Sequence, residues 1–220
     1  MRPTREDEWE PTRRATSLIS METLEDIKKE ILNCKKCSLH LTKTKYVPGV
    51  GSSSSGIVFV GEAPGREEDL KGEPFVGSAG KLLTELLSSV GLTREEVFIC
   101  NVLKCRPPNN RDPMPEEVEI CGDYLVRQLN VLKPELIVCL GRHSASFIFD
   151  LFGLHFTSIT KLCGKVFEVE HWDKKVKILP LYHPAAVLYR AQLREEYERQ
   201  FKIISELFGK GRKQKTLFDF

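Results

Sequence analysis

The sequence contains no apolar run approaching the roughly 18 residues needed to cross a bilayer, and its Arg- and Glu-bearing start does not resemble a secretory signal. A cytoplasmic protein without a membrane partner is therefore expected. Neither GxxxxGK(S/T) nor GxGxxG occurs, which weighs against a small α/β nucleotide-binding module. There are no internal repeats. Strong charge imbalance is also missing: a net charge of +2 excludes little, and a nucleic-acid binder can have it if its basic groups cluster on one face. What is there, 220 residues of which 41% are hydrophobic, suffices for one domain with a sizeable core.

Residues 1–20 are polar, with two prolines and no sustained apolar period, and read as a disordered extension with Met21 as an alternative start. From Glu22 to Asn33, Leu24, Ile27, Ile31 and Leu32 recur at helical spacing. The run "IVFV" (57–60) reads as a buried strand, and so do "EVFICN" (96–101) and "ELIVCLG" (135–141). "KVFEVE" (165–170) and "VKILPL" (176–181) are further strands. Between them "SAGKLLTELLSSVGL" (78–92) has a leucine face ending at Gly91, and Pro115 suits the first turn of a helix running to about Leu132. A last helix covers roughly 191–208. Short buried strands alternating with helices predict a three-layer α/β/α domain over 21–208, with a central, mostly parallel four-stranded sheet. Ligands of such sheets sit at the carboxyl ends of the strands.

Seven cysteines in a reducing compartment point to metal ligands before disulfides. Cys100, Cys139 and Cys163 fall in or beside apolar runs, where cysteine behaves as a small hydrophobe. Cys34, Cys37, Cys105 and Cys121 remain, a number that suits tetrahedral zinc or a 4Fe–4S cluster. Residue chemistry alone does not choose between them.

Glu62, Asn101 and His183 each lie just beyond a predicted strand. The loop "GEAPGREED" (61–69) has the outline of a phosphate loop but carries Glu62, Glu67, Glu68 and Asp69, a poor cradle for an anion. Each residue has a bland explanation: Phe75 as core, Asn101 as a turn former, His183 as a helix cap, the acidic run as a solvated helix start. Together they offer an aromatic face, an amide, an imidazole and a carboxylate at one sheet edge. An amide matches the O4 and N3–H edge of uracil, an aromatic ring stacks on a base, and an imidazole can hydrogen-bond O2. That set suits a pocket for an extruded base.

The segments "CKKC", "GEAPGREED", "GEPFVGSAGKLL", "NVLKCRPPNNRDP", "EEVEICGDYL", "LIVCLGRHSA" and "YHPAAVL", in this order, resemble the family 4 (iron–sulfur) uracil-DNA glycosylases of archaea and bacteria over about residues 22–208. The resemblance implies that Cys34, Cys37, Cys105 and Cys121 bind a 4Fe–4S cluster. It implies that Phe75 stacks on uracil, that Asn101 reads its polar edge and that His183 stabilises the developing anion at O2. Glu62 would handle water and the sugar, and Glu68 would approach the C5 face. Ala63 stands where family 1 enzymes carry a water-activating aspartate, whereas family 5 enzymes carry an apolar residue in place of Glu62. Relatives that trap the sugar covalently carry a histidine-bearing insert after Cys105; here that segment is "RPPNNRDPMP".

The implied activity is hydrolysis of the N-glycosidic bond of deoxyuridine by a monomer acting on single- or double-stranded DNA in the nucleoid. No lysine nucleophile is evident for a lyase step, and Arg106, Arg111 and the N–H groups after Pro184 are candidate phosphate contacts. The alternative is a non-catalytic iron–sulfur protein that binds DNA damage. The basic tail 209–220 ends in "QKTLFDF", which resembles a sliding-clamp-binding motif built on Gln214, Leu217, Phe218 and Phe220.

Overall fold

The structure, a computed structural model, describes residues 22–52 and 54–208. The extension at 1–20 and the tail with Gln214, Leu217, Phe218 and Phe220 lie outside the described residues. Strands β1 (Val50–Gly51), β2 (Ile57–Gly61), β3 (Phe98–Asn101), β4 (Leu136–Leu140), β5 (Phe167–His171) and β6 (Lys174–Leu181) form one sheet in the order β1-β3-β2-β4-β6-β5. The central four, β3-β2-β4-β6, are parallel, as expected. Antiparallel edge strands β1 and β5 extend the sheet to six. With only two residues inside "GVGSSSSG", β1 leaves no period to read in the sequence.

The helices are α1 (Leu24–Leu32), α2 (Arg66–Lys71), α3 (Ser78–Ser89), α4 (Pro115–Leu132), α5 (Arg142–Leu151), α6 (Ile159–Leu162), α7 (Pro184–Leu188) and α8 (Arg194–Phe208). Side chains alternate across each strand, so Ile57 and Phe59 pack with α3 and α8 on one face while Val58 and Val60 pack with α4 and α5 on the other. Both faces are covered, which is why these strands read as unbroken apolar runs. Cys100 and Cys139 are fully buried on the α4–α5 side as part of that core.

A third, smaller core joins Ile27 and Ile31 of α1 to Leu103, Cys105, Cys121 and Tyr124. The N-terminus of α1 is closed by a capping box between Thr23 and Asp26. Pro115 opens α4, where its missing N–H costs nothing. The segments leaving β2, β3, β4 and β6 all emerge at the same edge of the sheet, and the candidate site lies there.

Candidate active site and cysteine cluster

At that edge lies a cavity of about 350 Å³ whose lining includes Glu62, Ala63, Glu68, Phe75, Asn101 and His183. The tightest point is Gly61, the last residue of β2. A Cβ built there would sit 2.3 Å from Asn101 Oδ1 and 2.7 Å from Phe75 Cζ, so only glycine lets both side chains close on this backbone. Asn101 pairs with Gly61 across the ladder and is 2% exposed, yet its side-chain amide has no hydrogen-bond partner among the described residues. The amide opens into the cavity; among the described residues, the buried side-chain polar atom without a partner is the Tyr197 hydroxyl.

Phe75 adopts φ +53°, a left-handed backbone that non-glycine residues rarely hold. Two contacts keep it there. Glu68 Oε1 accepts the N–H groups of Val76 at 2.9 Å and Gly77 at 3.0 Å, anchoring the turn just after it. Gly80 lets α3 approach the Phe75 carbonyl, where an added Cβ would be only 1.8 Å from the oxygen. Glu68 therefore positions the aromatic wall as well as lining the cavity. Its neighbour Asp69 is buried and accepts the N–H groups of Thr44 and Lys45 at 2.8 and 3.3 Å. Two of the loop's carboxylates are thus staples for backbone donors.

The Phe75 and His183 rings lie 5.6 Å apart, 27° from parallel. His183 caps α7, its Nδ1 accepting the Ala185 N–H at 3.2 Å. That bond assigns the ring proton to Nε2, which is left as a donor. Protein surrounds the ring except where it faces the cavity, and this burial pushes its pKa down to about 4, with Glu68 opposing. The imidazole is therefore neutral near pH 7. Burial raises the Glu62 carboxyl above its ordinary range, and His143 pulls it back.

Cys34, Cys37, Cys105 and Cys121 line one small pocket together with Leu39, Tyr46 and Tyr124. The thiols come from the end of α1, the segment after β3 and the second turn of α4. Burial pushes Cys121 up to about 11 and raises Cys105 and Cys37, as thiols held away from water require. A single zinc ion about 2.3 Å from four thiolates would bring the sulfurs within about 3.8 Å of one another. Among the described residues, the group of three whose ligating atoms all lie within 4.8 Å is Glu62, Asp112 and His143, and no three of these cysteines come that close together. Lys104, fully buried, links the pocket to the site: its N–H donates to Cys121 Sγ at 3.2 Å and its Nζ to the Asn101 carbonyl at 2.7 Å.

Residues 48–204 match the Uracil DNA glycosylase superfamily. A type-4 uracil-DNA glycosylase of Archaeoglobus fulgidus is 70% identical over 200 residues, which cover 91% of this chain and 100% of that protein. The chain belongs to the type-4 branch of this superfamily. Other type-4 uracil-DNA glycosylases are similar too. That of Sulfurisphaera tokodaii is 51% identical over 85% of this chain and 86% of its own length. That of Thermotoga maritima is 47% identical over 76% of this chain and 84% of its own.

In this type-4 chain, sequence reasoning singled out Arg106 and Arg111 but missed Asn110, Arg142 and His143. Asn110 and Arg111 line the cavity from the proline-rich loop, although Arg111 makes a bidentate pair with Glu117 at 2.6 and 2.9 Å instead of standing free for a phosphate. Arg106 donates to Asn110 Oδ1 at 2.7 Å. His143 and Arg142 open α5 just past β4, the same strand-end position that singled out Glu62, Asn101 and His183. The seat at Gly61 is testable. Gly61→Ala is expected to cost about 1–3 kcal/mol as an overpacking substitution, read from the urea midpoint. An unchanged midpoint would mean that Asn101 and Phe75 are not held against this backbone.

Proposed function

We propose that the protein is a monofunctional uracil-DNA glycosylase that flips deoxyuridine out of DNA, hydrolyses its N-glycosidic bond and leaves an abasic site. The observation that carries this reading is the side-chain amide of Asn101, without a protein partner and open to a cavity walled by Phe75 and His183. The flipped base stacks on Phe75, and Asn101 donates to O4 and accepts from N3–H; cytosine presents the opposite pattern. The His183 Nε2–H donates to O2. As the bond from C1′ to N1 breaks, its electron pair moves onto the uracil ring and O2, where a neutral donor stabilises the anion without first transferring a proton. The sugar becomes cation-like. Glu62, across the cavity, faces that charge as a carboxylate and orients the water whose oxygen bonds to C1′; the water's proton passes to Glu62 or to solvent. Ala63 places no second carboxylate beside it.

Cys34, Cys37, Cys105 and Cys121 hold a 4Fe–4S cluster in this reading. The all-thiol donor set and a spacing wider than mononuclear zinc requires support it. Hydrolysis needs no electron transfer, so the cluster's contribution is mechanical: it ties α1, the Asn101–Cys105 segment and α4 together. The tail "QKTLFDF" serves as a tether to a sliding clamp.

Incubation with a uracil-bearing oligonucleotide followed by alkali is expected to break the strand at uracil and not at cytosine. Asn101→Ala should lower kcat/KM by about 10²–10³-fold. Binding to the uracil site without an alkali-labile product would instead favour the damage-binding alternative. Metal analysis of the brown protein should return four irons per chain; a colourless, zinc-loaded protein would overturn the cluster. Deleting 214–220 should abolish clamp binding and leave excision from short DNA intact, and a matched loss of both would refute the separation of tail from domain.

A further inference from the structure

Glu62, which lines the cavity, belongs to a cluster of titratable groups to whose other members the reaction above assigns no task. His143 Nε2 lies 3.8 Å from Glu62 Oε2 and 3.5 Å from Asp112 Oδ1. Arg142 Nε donates to the same nitrogen at 3.1 Å, and the Arg142 guanidinium pairs with Asp112. Three segments distant in sequence, the loop after β2, the proline-rich loop and the start of α5, therefore converge on one imidazole nitrogen.

The electrostatic demand on Glu62 is specific. It must be ionised to face a cation-like sugar and to take the water's proton. Burial and the Asp112 carboxylate both favour its protonated form, whereas His143 and Arg142 favour the ionised one. Arg142 is 59% exposed and committed to Asp112, while His143 is 26% exposed and sits between the two carboxylates. The His143 Nε2 lies within 4 Å of both carboxylates and within hydrogen-bond distance of Arg142 Nε.

We propose that His143 is a positioning residue for the Glu62 carboxylate, holding it ionised and oriented toward the attacking water, with Asp112 and Arg142 fixing where the imidazole sits. This rests on the reading of Glu62 given above. Like that reading, it assigns no bond-making to His143: the proton from water goes to Glu62 or solvent.

The test is single-turnover release of uracil from an oligonucleotide across about pH 5 to 9, the range in which a perturbed acid–base group shows its limb. It compares the full-length iron-containing protein with His143→Asn, His143→Lys and Glu62→Gln. The wild-type rate is expected to fall on the acid side as Glu62 protonates. His143→Asn should move that limb upward by about one pH unit, a roughly 10-fold loss at acid pH with a smaller loss on the plateau. His143→Lys, which keeps a positive charge, should restore the limb. A merely structural role would lower the rate evenly at every pH. An unmoved limb in His143→Asn, or no restoration by lysine, overturns the proposal. If Glu62→Gln itself keeps the wild-type rate and profile, the reading of Glu62 fails and His143 has nothing to position. If Glu62→Gln is impaired with its acid limb gone while His143→Asn matches wild type, only the role of His143 fails.

Discussion

Four parallel strands covered on both faces have only their ends left to offer a ligand, and that constraint organises the molecule. Burial of Ile57 and Phe59 on one side and Val58 and Val60 on the other makes β2 a rigid rail. Its last residue, Gly61, is where Asn101 and Phe75 come to rest. Because β3 pairs with β2 in register, the amide of Asn101 is delivered by the same ladder that holds the sheet together. A site built this way inherits the stiffness of the core, which is what a pocket must have if it is to discriminate bases by hydrogen bonding.

Backbone donors set the chemistry of the side chains around this rail. The Ala185 N–H, claimed by His183 Nδ1, decides which imidazole nitrogen is a donor, so capping a helix and preparing a neutral hydrogen-bond donor are one act. Glu68 and Asp69 spend charge on the N–H groups of Val76, Gly77, Thr44 and Lys45. The acidic loop is therefore only partly an electrostatic wall. Glu62 lines the cavity and makes no such backbone contact, which is why the proposed reaction uses it.

The cysteine pocket and the cavity are joined by a short, stiff path. Lys104 donates to Cys121, to the Asn101 carbonyl and to Gln128, whose amide donates to Pro48. Burial lowers the pKa of this amine, and its two neutral acceptors would each lose a partner if it moved. The cysteine pocket is thereby coupled to the position of Asn101.

Much of this was legible in the chain itself. Unbroken apolar runs announced strands buried on both faces, and the leucine face of 78–92 announced α3. The rule that parallel sheets bind at their carboxyl ends brought Glu62, Asn101 and His183 together, and apolar context separated Cys100 and Cys139 from the four cysteines that share a pocket. These signals are local, a period, a neighbour or a strand end, so one sequence contains them. The left-handed Phe75, the diversion of Arg111 to Glu117, the two-residue edge strand β1 and the meeting of His143 with Glu62 and Asp112 came only with the tertiary structure. The edge strand and the His143 cluster depend on segments far apart in sequence arriving within a few ångströms, while Phe75 and Arg111 depend on the path a loop takes over six to eight residues, which no period in the chain encodes.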